Sequence, residues 1–334
     1  MALSSSKLPR ARISTWSRGR KLIVAAAVLT LSIAIFLAIG LGVGLRSQSS
    51  GPSSSLPANS SSPSNSTTIF NGWKPVVGTS WQIVLEYALN DITADVEVYD
   101  IDLFTNSAST IAELHSRGRK VICYFSAGSY EPNRPDSGDF RSTDLGEELE
   151  GWPGEIWLNT NSNNVRSIMD KRLDLAVSKN CDGVDPDNVD AYVGSTSLIC
   201  LLSIDSKNAA TNTSQDNSNG VSLSKSDAVS YVTFLSTAAH SRNLSIGLKN
   251  GGDIVSSVIN LVQWEVNEQC VQYQECDVFR PFIDANKPVF HIEYPPSAPT
   301  VTSQQNATFC GDLDASGFST VLKNADLDDW IAMC

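Results

Sequence analysis

Two aspartates two residues apart, Asp185 and Asp187, lie within the run Cys181-Asp182-Gly183-Val184-Asp185-Pro186-Asp187-Asn188-Val189-Asp190. The run reads as a short strand that ends in carboxylates. Asp182-Gly183 opens it as a turn, Val184 is apolar, and Pro186 stops a regular ladder early. The two-residue period of a strand puts Asp185 and Asp187 on one face. Two like charges that close are costly to bury, so they require a cation, a shared proton or a polar cleft. A catalytic carboxylate at a strand end has this form, and so does a solvated turn rich in Asp and Asn.

Other strand ends carry similar groups. Asp100 and Asp102 end one candidate strand, and Tyr124, Ser126 and Glu131 follow the next. Lys249-Asn250, Asn267-Glu268 and Glu293-Tyr294 end three more, and Asp190 extends the central run. With Tyr130, Trp152, Trp264 and Tyr294 nearby, this surplus of carboxylates suits carbohydrate, which is bound by aromatic stacking and polar contacts and cleaved by a carboxylate pair. Asp102, Tyr124, Ser126, Glu131, Trp152, Asp185, Asp190, Lys249, Asn250, Glu293 and Tyr294 are the candidate substrate contacts. Rival chemistries lack their residues. There is no Gly-x-Ser-x-Gly elbow, no His-Glu-x-x-His, and no zinc-like spacing around His115, His240 or His291. Asp185-x-Asp187 begins like a calcium loop, but its sixth position is Asp190 and its twelfth Thr196. Neither a metal nor a cofactor is expected.

These groups need a scaffold of alternating strands and helices. Strands are predicted over 81–87, 96–101, 121–125, 183–187, 244–248, 261–266, 289–294 and 319–322, and helices over 107–117, 165–179, 225–241 and 253–260. Ser224 with Asp227 makes a capping-box start for the third helix. The pattern predicts a (β/α)8 TIM-type barrel over residues 72–334, within the size usual for that fold. An open sheet is disfavoured because no Gly-rich phosphate loop follows the first strand. Residues 195–220 interrupt the pattern as either a long surface insertion or retained non-coding sequence. Of the seven cysteines, Cys270 with Cys276 closes a small loop and Cys310 with Cys334 staples the C-terminal end. Cys123 and Cys181 either pair or stay buried, and Cys200 is the odd one.

The N-terminal part is a membrane address. Residues 1–21 form a basic cytoplasmic tail, and 22–45 are an uncharged apolar run of roughly 24 residues, long enough to span a bilayer. Six basic residues precede that run and only Arg46 follows it closely, so the bulk of the chain is expected outside the cell as a single-pass type II protein at the plasma membrane, or secreted if cleaved. Residues 46–71 form a Ser/Pro/Asn-rich stalk. Glycosylation sequons stand at Asn59, Asn65, Asn212, Asn243 and Asn306. Beyond residue 46 the chain carries 17 basic against 36 acidic residues, a net of −19. That charge excludes nucleic acid as ligand and suits a cationic or neutral partner, here a polysaccharide.

Taken in order, Tyr99-Asp100-Ile101-Asp102, the run Val121 to Glu131, Asp182 to Asn188, Leu248-Lys249-Asn250, Asn267-Glu268-Gln269-Cys270 and His291-Ile292-Glu293-Tyr294 resemble glycoside hydrolase family 114, the endo-α-1,4-polygalactosaminidases, across 72–334. The resemblance implies a (β/α)8 barrel that cleaves α-1,4-linked galactosamine polymers such as galactosaminogalactan. It also implies that Asp187 and Glu268 are the catalytic pair. Asp187 is then the nucleophile, held ionised by Lys249, and Glu268 the acid/base, retaining a proton near neutral pH, with net retention. The alternatives are a catalytically inactive carbohydrate-binding barrel and an α-galactosidase-like hydrolase of another polysaccharide.

Overall fold

The computed structural model describes residues 70–192 and 219–334. The anchor, the stalk up to residue 69, most of the insertion, Cys200 and the sequons at Asn59, Asn65 and Asn212 lie outside the described residues. Among the described residues no helix is long and apolar enough to cross a membrane.

The described residues form twelve strands: β1 (Trp81–Val84), β2 (Val98–Asp102), β3 (Lys120–Ser126), β4 (Ser129–Tyr130), β5 (Leu145–Glu148), β6 (Ile156–Leu158), β7 (Gly183–Asp187), β8 (Ser245–Lys249), β9 (Trp264–Glu268), β10 (Val289–Glu293), β11 (Ser319–Leu322) and β12 (Ala332–Met333). The main sheet runs β1-β2-β3-β7-β8-β9-β10-β11-β12, parallel throughout except for β12. Its eight parallel strands are the eight expected from the sequence. They curl into a TIM-like sheet whose ends meet through side chains: Trp81 Nε1 donates to the Ser319 carbonyl at 2.7 Å, and Ser319 Oγ donates to the Thr79 carbonyl at 2.7 Å.

Alternation sends one set of side chains inward. Trp81, Ile83, Val98, Ile122, Trp264, Val266, Phe290, Ile292 and Val321 fill the lower interior. Trp264, a candidate sugar platform by sequence, is fully buried there instead. It lies across Gly183 and Gly247, where a Cβ would meet its indole at 2.5 and 2.1 Å, so glycine at both positions is what admits the ring.

The other face packs on helices α1 (Ala108–Ser116), α2 (Asn163–Lys179), α3 (Lys225–Ser241), α4 (Val255–Val258), α5 (Cys270–Tyr273) and α6 (Arg280–Asp284), while α7 (Ser303–Cys310) buries none of its residues. The capping box at Ser224 and Asp227 forms as expected. Short α5 and α6, and α7, were not anticipated. Residues 85–97 after β1 form no helix, and after β11 the chain returns as β12, so the strict strand-helix alternation fails at both ends. Disulfides join Cys123 to Cys181, Cys270 to Cys276 and Cys310 to Cys334. A small antiparallel sheet, β4-β6-β5, grows out of the link from β3 to α2. Its two- to four-residue strands are too short to show a period in sequence.

Candidate active site

The top of the sheet is a cleft of about 630 Å³. Register explains which side chains reach it. Ser126 is level with Asp187 across β3 and β7, and Ile292 is level with Glu268 across β10 and β9, so both acids end their strands at the rim. Pro186 does not cut β7 short. Pairing with β8 ends at Val184, so the proline sits beyond the last rung on that side, and β7 continues through Asp187.

Lys249, at the end of β8, lies between the two acids. Its Nζ is 3.2 Å from Asp187 Oδ1 and 2.6 Å from Glu268 Oε2, and the side chain is only 5% exposed. Burial opposes its charge, but Asp187, Glu268 and Asp185 overcome that and keep it protonated. Asp187 also accepts from the Tyr124 hydroxyl at 2.9 Å and from the Asn188 amide at 2.7 Å. Glu268 accepts from Tyr294 OH at 2.5 Å and Asn250 Nδ2 at 3.1 Å. Burial alone would raise the Glu268 carboxyl, yet Lys249 with these donors brings it down to about 2. The expectation that Glu268 holds a proton near neutral pH is therefore corrected for the substrate-free site. Every partner of its carboxylate is a donor, and one is a cation.

The remaining candidates divide. Asp102, Tyr124, Glu131, Trp152, Asp190, Lys249 and Asn250 line the cleft, and Tyr294 reaches it through Glu268. Asp102 and Glu131 are both tied to Arg134, at 2.6 Å each. Asp190 is raised to about 6 by burial and by Asp187. Three candidates are not substrate contacts. Asp185 is fully buried one layer below Asp187 because β7 runs on through Pro186. It lies beside the equally buried Asp100, whose carboxyl is raised by burial and by Asp185, and neither acid has a hydrogen-bond donor among the described residues. Ser126 is buried and serves the scaffold, accepting from Asn188 Nδ2 at 3.0 Å and bonding Ser129 Oγ at 2.7 Å. Glu293 is turned outward by the alternation of β10, where it accepts from the Val271 amide at 2.8 Å and lies 3.0 Å from His291.

Sequence reasoning missed Arg134, Glu155, Trp157, Glu86 and Asp326, all of which line the cleft. Glu131-x-x-Arg134 and the tight Trp152–Glu155–Trp157 grouping were legible signals. The others come from loops joined only by the fold. Among the described residues the cleft presents eight carboxylates (Glu86, Asp102, Glu131, Glu155, Asp187, Asp190, Glu268 and Asp326) against two cations, Arg134 and Lys249. Both cations are already paired with acids.

A curled parallel sheet with two carboxylates facing one another at its carboxyl end is the arrangement that a glycoside hydrolase uses. The sequence model of glycoside hydrolase family GH114 matches residues 62–334, and the chain belongs to that family. The crystal structure of Aspergillus fumigatus Ega3 in complex with galactosamine is similar, with 53% identity, a TM-score of 0.70, and coverage of 78% of this chain and 97% of that one. The glycoside hydrolase domain of PelA from Pseudomonas aeruginosa shares the fold at 11% identity and a TM-score of 0.55, covering 75% of this chain and 97% of its own. None of the curated proteins compared matches the chain significantly.

Proposed function

We propose that this enzyme is an endo-acting, retaining hydrolase of α-1,4-linked galactosamine polymers, with Asp187 as nucleophile and Glu268 as acid/base. The observation that carries the mechanism is the lysine bridge. Because Lys249 touches both acids, Asp187 Oδ1 and Glu268 Oε2 can be no more than 5.8 Å apart, the sum of 3.2 and 2.6 Å. A separation of about 5–5.5 Å suits direct attack, whereas about 6.5–9.5 Å would leave room for an inverting water. The acidic cleft supports a substrate bearing protonated amines, as does the galactosamine bound to similar Ega3.

In this mechanism Asp187 attacks the anomeric carbon while Glu268 gives its proton to the departing glycosidic oxygen. Glu268 gains that proton as sugar enters, because its side chain is 26% exposed when empty and the sugar displaces the water that stabilises its charge. Once Asp187 is esterified it is neutral, so the full field of Lys249 falls on Glu268 and favours the carboxylate. Glu268 then takes a proton from the water that attacks the glycosyl ester, releasing Asp187 with the original anomeric configuration.

The test is incubation of the purified ectodomain with partly deacetylated α-1,4-polygalactosamine, with the anomer of the first product followed by NMR. Release of α-anomeric oligosaccharides is expected, and Asp187→Asn or Glu268→Gln should each abolish it while the fold is kept. Binding without cleavage, or cleavage only of uncharged galactans, would overturn the substrate reading, and a β-anomer would overturn retention. We further propose that residues 22–45 anchor the enzyme in the plasma membrane with the barrel outside. Asn243 and Asn306 are both exposed, as glycosylation there requires. Protease added to intact cells should shed a glycosylated fragment beginning in the stalk, and an unglycosylated cytosolic protein would contradict this topology.

A further inference from the structure

A second chamber of about 460 Å³ adjoins the catalytic cleft. Both are bounded by Glu268, Asn250 and Asp190, but only the first is bounded by Asp187. The second lies between the turn after β8, which carries Asp253, and the disulfide-closed loop after β9, which carries Tyr273 and Glu275. Four carboxylates face it: Asp190, Asp253, Glu268 and Glu275. No Lys, Arg or His among the described residues lines it.

Acidic side chains alone would be an ordinary solvated surface. Asn267 adds an independent sign of a ligand. It lines the chamber, is only 1% exposed, and its Oδ1 has no hydrogen-bond donor among the described residues. A buried acceptor left unpaired costs on the order of 1–3 kcal/mol, so this position calls for a donor that the described residues do not supply. Tyr273, 60% exposed at the same mouth, offers a ring face.

Building on the galactosamine-polymer reading above, we infer that this chamber holds the sugar of the leaving group and selects one with a free, protonated amine. Its position assigns the side. In a retaining hydrolase the departing sugar abuts the acid, and the sugar that becomes covalently attached abuts the nucleophile. A chamber that shares Glu268 but not Asp187 therefore takes the departing sugar. Its chemistry assigns the selectivity. An ammonium satisfies Asp253 and Glu275 and brings N–H donors, whereas an acetamide brings no charge and leaves those two carboxylates unpaired.

Each cut of a partly N-acetylated α-1,4-galactosamine oligosaccharide creates one new non-reducing end, formed by the sugar that occupied this chamber. Digestion by the wild-type ectodomain, followed by sequencing of the products by mass spectrometry, should show unacetylated galactosamine at nearly all new non-reducing ends. The double variant Asp253→Asn/Glu275→Gln, isosteric and at exposed positions, should admit N-acetylgalactosamine there and raise KM for the deacetylated polymer about fivefold, as expected for two partly exposed ion pairs. The inference is overturned if wild-type non-reducing ends carry acetyl groups in proportion to the polymer. It is equally overturned if selection appears at the new reducing ends, or if the double variant leaves the end pattern unchanged. Failure of the wild type to cut any galactosamine polymer would instead refute the substrate reading, and this assignment with it.

Discussion

Replacing Lys249 by methionine removes the positive charge that bridges the two proposed catalytic carboxylates while keeping the stem's apolar length. Asp187 and Glu268 would then face each other at no more than 5.8 Å without a counter-ion. At an effective dielectric of about 20, two unit charges at that distance repel by about 3 kcal/mol. That is about two pK units, and loss of the Lys249 attraction adds to it. Glu268, now held at about 2, is expected to titrate in the mildly acid range. Two measurements follow. In denaturant unfolding, Lys249→Met should lose about 3 kcal/mol more stability at pH 7 than at pH 4, because at the lower pH a bound proton relieves the repulsion. In calorimetry of galactosamine binding to enzyme that keeps Asp187, repeated in buffers of different ionisation enthalpy, the background with Lys249 should take up close to one proton near pH 6. The Lys249→Met background should take up clearly less, since its Glu268 starts closer to protonation. If the stability loss is the same at both pH values and proton uptake is unchanged, Lys249 acts by packing alone and the electrostatic account fails.

Stability should peak at about pH 4–5. Asp185 is raised from 3.8 to about 7, so its stabilising proton is fully present below 3.8 and lost as pH rises through 7. Glu268 is lowered from 4.5 to about 2, so its contribution is present above 4.5 and lost as pH falls through 2. Thermal unfolding from pH 2 to 8 checks this, and Asp185→Asn should flatten the fall above pH 4. Gly128→Ala should cut kcat more than tenfold, because the new Cβ would lie 1.6 Å from the Asn188 carbonyl and must push aside the segment that carries Asp187. A wild-type kcat would show that this backbone does not position Asp187. Trp152→Ala, at a position 60% exposed on the cleft, should raise KM several-fold with unchanged thermal stability, and an unchanged KM would remove Trp152 from the sugar path.

Local chemistry alone placed much of this enzyme. Eight strand positions, the Ser224 capping box and the presence of Asp187, Lys249 and Glu268 at successive strand ends follow from short-range period, turn residues and composition, and all appear in the fold. The pairing of Cys270 with Cys276 and of Cys310 with Cys334 was also legible, from loop length and position. Other features depend on depth and side, which period-two alternation cannot assign without knowing where a strand stops and how the sheet curls. Asp185 and Asp187 share a face, yet one is sealed in the core and the other opens on the cleft, because β7 continues past Pro186. Glu293 and Tyr294 are neighbours on the chain, but alternation sends the first outward to the Cys270 loop and the second to Glu268. The charge on Glu268 was the least legible property. It arises where Lys249, Asn250 and Tyr294 converge from strand ends up to 26 residues away, and a carboxyl's proton affinity follows the cations and donors around it in space rather than its neighbours in sequence.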